Sequence, residues 1–408
     1  MTTAGEGGGE ATTAGELRRA VESHLRGNLL PFWRLRAVDE QNGGFIGEMG
    51  PDGTPRPEAD KALILNARLL FTFAALFRAL GDPADLHLAR RAFSTLTERF
   101  ADPEHGGYVW TIRPDGVITD ASKKTYGQAF CVYALSEYHL ATGDPEALQA
   151  ALRAFERIEA HARDTERGGY IETRARDWSA AGDLRLSQRD LDAAKSMNAH
   201  LHIVEGYANL YRAAPGPEVG ARLGEVIGLF DRCILGPERR HLRPFFDPGW
   251  GVLSSHYTYG HDIEAAWLLL EAAEVLGDRE LLAATRSFVP QVAGAVLEEA
   301  IDPQGGLAYE GQGGRVTDPN REWWCQGEAV VGFLCAHQVT GRGEFLDAAL
   351  RVWGFIERFV IDHQGGEWFF RVFPDGTVDP KEPKVGQWKC PYHTVRTCLE
   401  VLRRIPAS

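Results

Sequence analysis

The chain has 408 residues, 44% of them hydrophobic and 25% charged, with a formal net charge of −13. That is the composition of a globular chain long enough for a large core. Its acidity, with no basic block beyond the doublets Arg239-Arg240 and Arg403-Arg404, argues against a nucleic-acid or anionic-membrane partner, and no apolar run approaches the ~20 residues that span a bilayer.

Residues 1–15 are rich in Gly, Thr, Ala and Glu and lack the basic and apolar regions of a signal peptide, so a disordered tail is expected there, followed by a single domain over 16–408. From residue 42 a Gly-Gly signal recurs, in Asn42-Gly-Gly-Phe45, His105-Gly-Gly-Tyr108, Arg167-Gly-Gly-Tyr170, Gln304-Gly-Gly-Leu307 and Gln364-Gly-Gly-Glu367, with a weaker form in Asp247-Pro-Gly-Trp-Gly251. The intervals, 63, 62, 81, 56 and 60 residues, each leave room for two helices and a loop. Three of the signals are followed by Pro-Asp-Gly (at 51–53, 114–116 and 374–376), a turn sequence in which Pro presets φ and Gly accepts a positive one. Each repeat is therefore expected to carry a small hairpin.

Between these loops the period is helical. Leu63–Phe77 is apolar almost all round and reads as a buried helix, whereas Glu146–Phe155 is amphipathic and reads as an outer one. Gly81-Asp82-Pro83, Gly143-Asp144-Pro145 and Gly277-Asp278 end one helix and start the next. Six such units predict an all-α (α/α)6 barrel with short β-hairpin loops at one end, in preference to an open helical solenoid. The six cysteines, at 131, 233, 325, 335, 390 and 398, show no C-x-x-C and read as buried free thiols of a cytoplasmic protein.

Three histidine-bearing segments stand out. In Asn198-Ala-His-Leu-His-Ile-Val-Glu-Gly-Tyr207, helical spacing puts Asn198 and Glu205 on the face of His202, while His200 points away. Such a His-x-His pair on a helix sets its rings about 200° apart, a poor chelate, and no metal site is expected. In Tyr259-Gly-His-Asp-Ile-Glu264, His261 and Glu264 lie at i, i+3 and could form an acid/base dyad or a plain helix-surface ion pair. In Trp388-Lys-Cys-Pro-Tyr-His393, Pro391 suits a first helical turn, so His393 also falls at a helix start. Any one histidine alone is more readily a hydrogen-bonded core residue. Trp324 and Trp388 sit beside polar residues, as a platform for a sugar ring would, and Arg68 lies in an apolar helix, where it needs a ligand or a buried partner. Walker A, Rossmann and Gly-x-Ser-x-Gly signatures are absent from the sequence.

With Pro31-Phe-Trp33, Asp39, Lys195–His202, Tyr259–Glu264, Trp323-Trp324 with Gln326 and Glu328, and Trp388–His393 in place, the chain resembles the N-acylglucosamine 2-epimerase superfamily, and within it the cellobiose 2-epimerases, from about Leu30 to Leu402. The resemblance implies a sugar epimerase without metal or cofactor. It would invert C2 of the reducing-end glucose of β-1,4-linked disaccharides such as cellobiose and lactose, by ring opening and a histidine-mediated enediolate. It further implies that His261 and His393 are the acid/base pair and that Glu264 is the partner of His261. His202, Asn198, Arg68 and Tyr126 would surround the reacting end, Trp324 and Trp388 would be sugar platforms, and Asp190 and Glu328 would contact the substrate. Gly327 and Cys390 depart from residues frequent in the family, Ala and Gly, and are expected to alter pocket width. A small-molecule sugar is the expected partner, with the chain a monomer or weak dimer. The alternatives are a mannose 2-epimerase or aldose–ketose isomerase on free monosaccharides, a glycoside hydrolase on the same barrel, which would want two flanking carboxylates, and a helical-repeat interaction protein.

Overall fold

The computed structural model describes residues 13–407. Its helices are α1 (Ala14–His24), which continues through a π turn at Leu25–Leu29 into α2 (Leu30–Leu35), then α3 (Leu63–Leu80), α4 (Pro83–Thr95), α5 (Thr125–Thr142) and α6 (Pro145–His161). There follow α7 (Met197–Ala213), α8 (Pro217–Leu229), α9 (Tyr259–Leu276), α10 (Arg279–Ala300), α11 (Trp323–Thr340), α12 (Gly343–Phe355) and α13 (Pro391–Arg404). Of the expected tail, residues 1–12 lie outside the described residues. The last three are ordered: Thr13 caps α1 in a capping box with Glu16, and residues 14 and 15 are its first turn.

The odd-numbered helices from α3 to α13 form an inner ring, each against the next, and α13 returns to α3. Helices α4, α6, α8, α10 and α12 pack outside the inner helix that precedes them, and α1 packs on α13, so first and last helices close the barrel. The physical cause is the apolar content of each helix. In α3 every residue from Leu63 to Leu76 is buried, and each buried Leu or Ile there contributes about 1.5–3 kcal/mol. The outer α6 buries one stripe, Ala147, Ala150, Ala151, Ala154, Phe155 and Ile158. Only α3 is long and apolar enough to cross a membrane among the described residues, and 78% of it is buried inside the protein.

The expected helix punctuation is present. Gly81, Gly143 and Gly277 end α3, α5 and α9 at φ of 72°, 73° and 75°, and Asp82, Asp144 and Asp278 cap the helices that follow. Gly341 makes a fourth such end. Two inner glycines serve close packing instead. A Cβ at Gly206 would sit 2.7 Å from the Ala129 carbonyl oxygen, and one at Gly332 2.7 Å from that of Ile263.

The hairpins gather at the N-terminal ends of the inner helices as two- and three-stranded sheets. A device not anticipated from the sequence holds them. Two residues before the inner helix, Lys61, Lys123, Lys195, Arg321 and Lys389 each pair with a carboxylate of a Gly-Gly loop: Asp39 at 2.7 Å, Asp102 at 2.8 Å, Asp164 at 2.9 Å, Asp302, and Glu367 at 2.5 Å. Buried pairs of this kind fix geometry more than they add stability, and loss of one partner strands the other charge. The long 81-residue interval contains the excursion 175–194, much of which walls the cleft described next.

Candidate active site

At this loop end lies a cleft of about 890 Å³, in the upper range for small-molecule sites. The inner helices furnish it in layers. The second or third residue of a helix supplies Tyr126, Asn198, His261, Trp324 and His393. The sixth residue of each helix forms the layer below: Arg68, Phe130, His202, Glu264, Glu328 and Arg396. All are within two turns of a helix start, which explains how three sequence-distant histidines meet.

His393 Nδ1 is 2.7 Å from Glu328 Oε1, and Glu328 Oε2 accepts the Trp267 indole N–H at 3.0 Å. Because Glu328 also accepts from Arg396 at 2.6 Å, it faces His393 as an acceptor, which puts the imidazole proton on Nδ1 and leaves Nε2 as a base. Burial, reinforced by Arg68 and Arg396, holds the His393 pKa well below the usual imidazole value. His202 has the same arrangement, with Nδ1 2.9 Å from Glu205, and burial lowers it despite that carboxylate. Burial alone would raise Glu205, but Arg396 and His202 bring it down to about 2. Arg396 ties the layer together by donating to Glu205, to Glu264 at 2.6 Å and to Glu328. On the far side of this layer a second cavity of about 520 Å³ shares Glu205 and Arg396 as its lining.

His261 is held differently. Its Nδ1 meets the hydroxyl of Thr258, the residue just before α9, and a hydroxyl can donate or accept. Either tautomer is therefore open to it. Burial, with His202 nearby, lowers it to about 3. The Trp324 indole touches both histidines, with ring centres 4.7 Å from His261 and 5.6 Å from His393, and its N–H is tied to Glu322 at 3.1 Å. Gly260 makes room for this ring, since a Cβ there would come within 2.7 Å of it. Trp388, half-buried, stands 6.0 Å from both Trp110 and Tyr126.

Arg68 is buried, donates to the Tyr126 hydroxyl at 2.6 Å, and lies over the rings of Phe130 and Tyr392 at 4.6 and 4.8 Å. It has no carboxylate partner among the described residues, so the alternative of a buried ion pair fails. Among the described residues the acid that acts on its charge is Glu264, which does not bond it, and the side chain lines the cleft. Asn198 also lines the cleft, with Oδ1 unpartnered, and Asp190 does so with one oxygen accepting from Ser187 at 2.7 and 2.8 Å.

Three expectations need correction. Glu264 is not bonded to His261: it turns to Arg396, while Thr258 takes His261 Nδ1. Glu328 does not line the cleft; it backs His393. Gly327 and Cys390 do not line it either. Gly327 faces α13, where a Cβ would lie 2.5 Å from Thr397 Oγ1, so it sets helix packing rather than pocket width. His200 points away as expected, accepting the Tyr170 N–H at 3.0 Å and bonding the Ser196 carbonyl at 2.7 Å. Arg396 escaped the sequence reading, although it follows His393 at i+3, the same spacing that joins His202 to Glu205.

Acceptor atoms of Glu264, Glu328 and His393 lie within 4.8 Å of one another, but the cation among them is the Arg396 guanidinium. Two carboxylates drawn together under one arginine also lack the room that glycoside hydrolysis needs between its acid and its nucleophile or base.

The chain matches the N-acylglucosamine 2-epimerase family over residues 44–397. It is 41% identical to a cellobiose 2-epimerase of Bacteroides fragilis over 388 residues, 95% of this chain and 98% of that one. The solved cellobiose 2-epimerase of Spirochaeta thermophila superposes with a TM-score of 0.89 at 37% identity, covering 97% of this chain and 99% of that one. A solved sugar epimerase from a ruminal bacterium does so at 0.92 and 36% identity, covering 96% and 100%.

Proposed function

Because this chain belongs to the N-acylglucosamine 2-epimerase family, among its cellobiose 2-epimerases, we propose that it inverts C2 of the reducing-end glucose of β-1,4-linked disaccharides, converting cellobiose to glucosyl-mannose and lactose to epilactose. The observation that carries the reading is the asymmetric histidine pair on one indole: His393 with its tautomer set by Glu328, and His261 with its tautomer left open by Thr258.

The steps follow from that asymmetry. Ring opening needs a proton delivered to the ring oxygen and one removed from the anomeric hydroxyl, which a neutral N–H donor and a neutral acceptor can share. His393 Nε2, whose proton sits on Nδ1, then takes the C2 proton α to the aldehyde. The depressed pKa of His393 keeps it unprotonated at neutral pH, ready for this step. The electrons move to the C1 oxygen and an enediolate forms. Arg68, with no carboxylate of its own, is the cation for that charge, aided by Tyr126 and by His202 when the latter holds a proton. Rotation about C2–C3 presents the other face, and His261, carrying the proton it accepted from the anomeric hydroxyl during ring opening, returns it there and is neutral again. Trp324 supports the reacting sugar between the two imidazoles with Asn198 at the same end, and Trp388 and Asp190 hold the remainder. Protonation at C1 instead of C2 would give the ketose.

The domain acts as one catalytic unit, as a monomer or weak dimer. A cytoplasmic location is supported by six cysteines that are all free. The test is incubation with cellobiose, lactose, glucose and mannose in deuterated water followed by NMR. Glucosyl-mannose with deuterium at C2 is the expected product from cellobiose. Conversion of free monosaccharides alone, or ketose as the main product, would overturn the disaccharide assignment.

A further inference from the structure

On the reading above the reaction passes through an anion, yet the layer at and beneath the cleft holds three acidic side chains, of which Glu264 alone lines the cleft. Two are well covered. Glu205 accepts from His202, Tyr392 and Arg396, and Glu328 accepts from His393, Trp267 and Arg396. Glu264 is covered on one side only. Its Oε1 accepts from Arg396 at 2.6 Å, whereas Oε2 is buried without a donor and the side chain lines the cleft. An ionised carboxylate there would leave a bare, donorless oxygen beside a developing enediolate, a costly arrangement in a buried place. A carboxylic acid in the same place turns a donor toward it.

We propose that Glu264 serves as a neutral acid whose Oε2 hydroxyl hydrogen-bonds the sugar oxygen on which the enediolate charge builds up. The proposal rests on the enediolate reading. No bond to carbon forms or breaks in this contact, and the proton stays on Glu264 while the hydrogen bond strengthens as the sugar oxygen gains charge.

The surroundings favour the protonated form. From α13 Glu264 faces Arg396, Tyr392 and His393, and from α11 Glu328 and Cys325. From α7 it faces Glu205 and His202, from α3 Arg68, from α5 Tyr126, and on its own helix His261. Burial and the neighbouring Glu328 carboxylate raise its pKa well above the carboxylate range; Arg396 opposes them but is shared with two other carboxylates.

Two variants and one spectrum test this. Glu264→Gln keeps the shape and an N–H donor, and Glu264→Ala removes both. Turnover within about tenfold of the parent is expected for Glu264→Gln, against a loss of about 10²–10³-fold for Glu264→Ala. The parent should lose kcat as rising pH ionises Glu264, and Glu264→Gln should lack that alkaline limb. Independently of turnover, the infrared difference spectrum of the parent minus folded Glu264→Gln should show a protonated-carboxyl stretch at neutral pH that vanishes at higher pH. Absence of that band, or a Glu264→Gln variant as inactive as Glu264→Ala, overturns the proposal. Failure of the parent to exchange the C2 hydrogen of any sugar overturns the enediolate reading instead, so the two failures are told apart by different measurements.

Discussion

Glu328→Gln tests the tautomer argument for His393 with almost no change of shape. The native carboxylate accepts from three donors: His393 at 2.7 Å, Arg396 at 2.6 Å and Trp267 at 3.0 Å. A glutamine offers one accepting oxygen and one donating nitrogen. With the oxygen toward His393 and Arg396, its NH2 meets the Trp267 N–H, donor against donor. Flipped, its NH2 faces the guanidinium, and His393 must move its proton to Nε2 to offer Nδ1 as acceptor. The first orientation sacrifices a charge-assisted hydrogen bond of about 1.5–3 kcal/mol, and the second removes the base. Holding a catalytic imidazole in the wrong tautomer lowers kcat by about 10⁴-fold in a Ser-His-Asp triad. A loss of about 10³–10⁴-fold in C2 deuterium wash-in is expected here, with KM nearly unchanged and a melting temperature lower by a few degrees. The assay is NMR of cellobiose in deuterated water at saturating sugar. Wash-in within tenfold of the parent, in a folded variant, would refute the claim that Glu328 sets the His393 proton.

His393→Ala should abolish C2 wash-in outright, and persistence at the parent rate would remove His393 as the base. Thr258→Val, which frees His261 Nδ1, should slow proton return more than abstraction, so the ratio of wash-in to epimerised product should rise; an unchanged ratio argues against His261 as the returning acid. Trp388→Ala should raise KM for cellobiose about tenfold with a smaller change in kcat, whereas Trp324→Ala, which touches both imidazoles, should lower kcat. The pH dependence of stability follows from three buried histidines. His24 and His261 are brought down to about 3 and His200 to about 4, in each case chiefly by burial. Unfolded histidine titrates near 6.5, so below that pH the unfolded chain binds protons that the folded chain refuses. Their stabilisation is therefore full above about pH 6.5 and lost as pH falls toward the folded values, and the urea midpoint should drop between about pH 7 and pH 5. An unchanged midpoint would contradict it.

Much of the architecture was written locally. An apolar Leu63–Phe77, the Gly-Asp-Pro junctions and the Gly-Gly loops each state a helix, a stop or a turn through their own backbone and side-chain preferences, and their repetition predicted the ring. Clustering of His202, His261 and His393 was legible as well, because each falls near the start of an inner helix. The five cation–carboxylate pairs at the hairpins were missed, since a Lys or Arg two residues before a helix carries no signal until its partner is known.

Partnership was where the sequence ran out. The i, i+3 rule correctly gave His202 to Glu205 but wrongly gave His261 to Glu264. Helical spacing says which side chains share a face, not which way their ends turn. Glu264 reaches past α11 to Arg396, 132 residues away, and Glu328 reaches His393 across 65. Those meetings exist only because α13 closes the ring between α11 and α3, and in that buried space the donors of Arg396 decide which way Glu205, Glu264 and Glu328 turn. The sequence by itself determined the helices, their faces and the end at which the site lies; ring closure alone decided which histidine a carboxylate holds and which it leaves free.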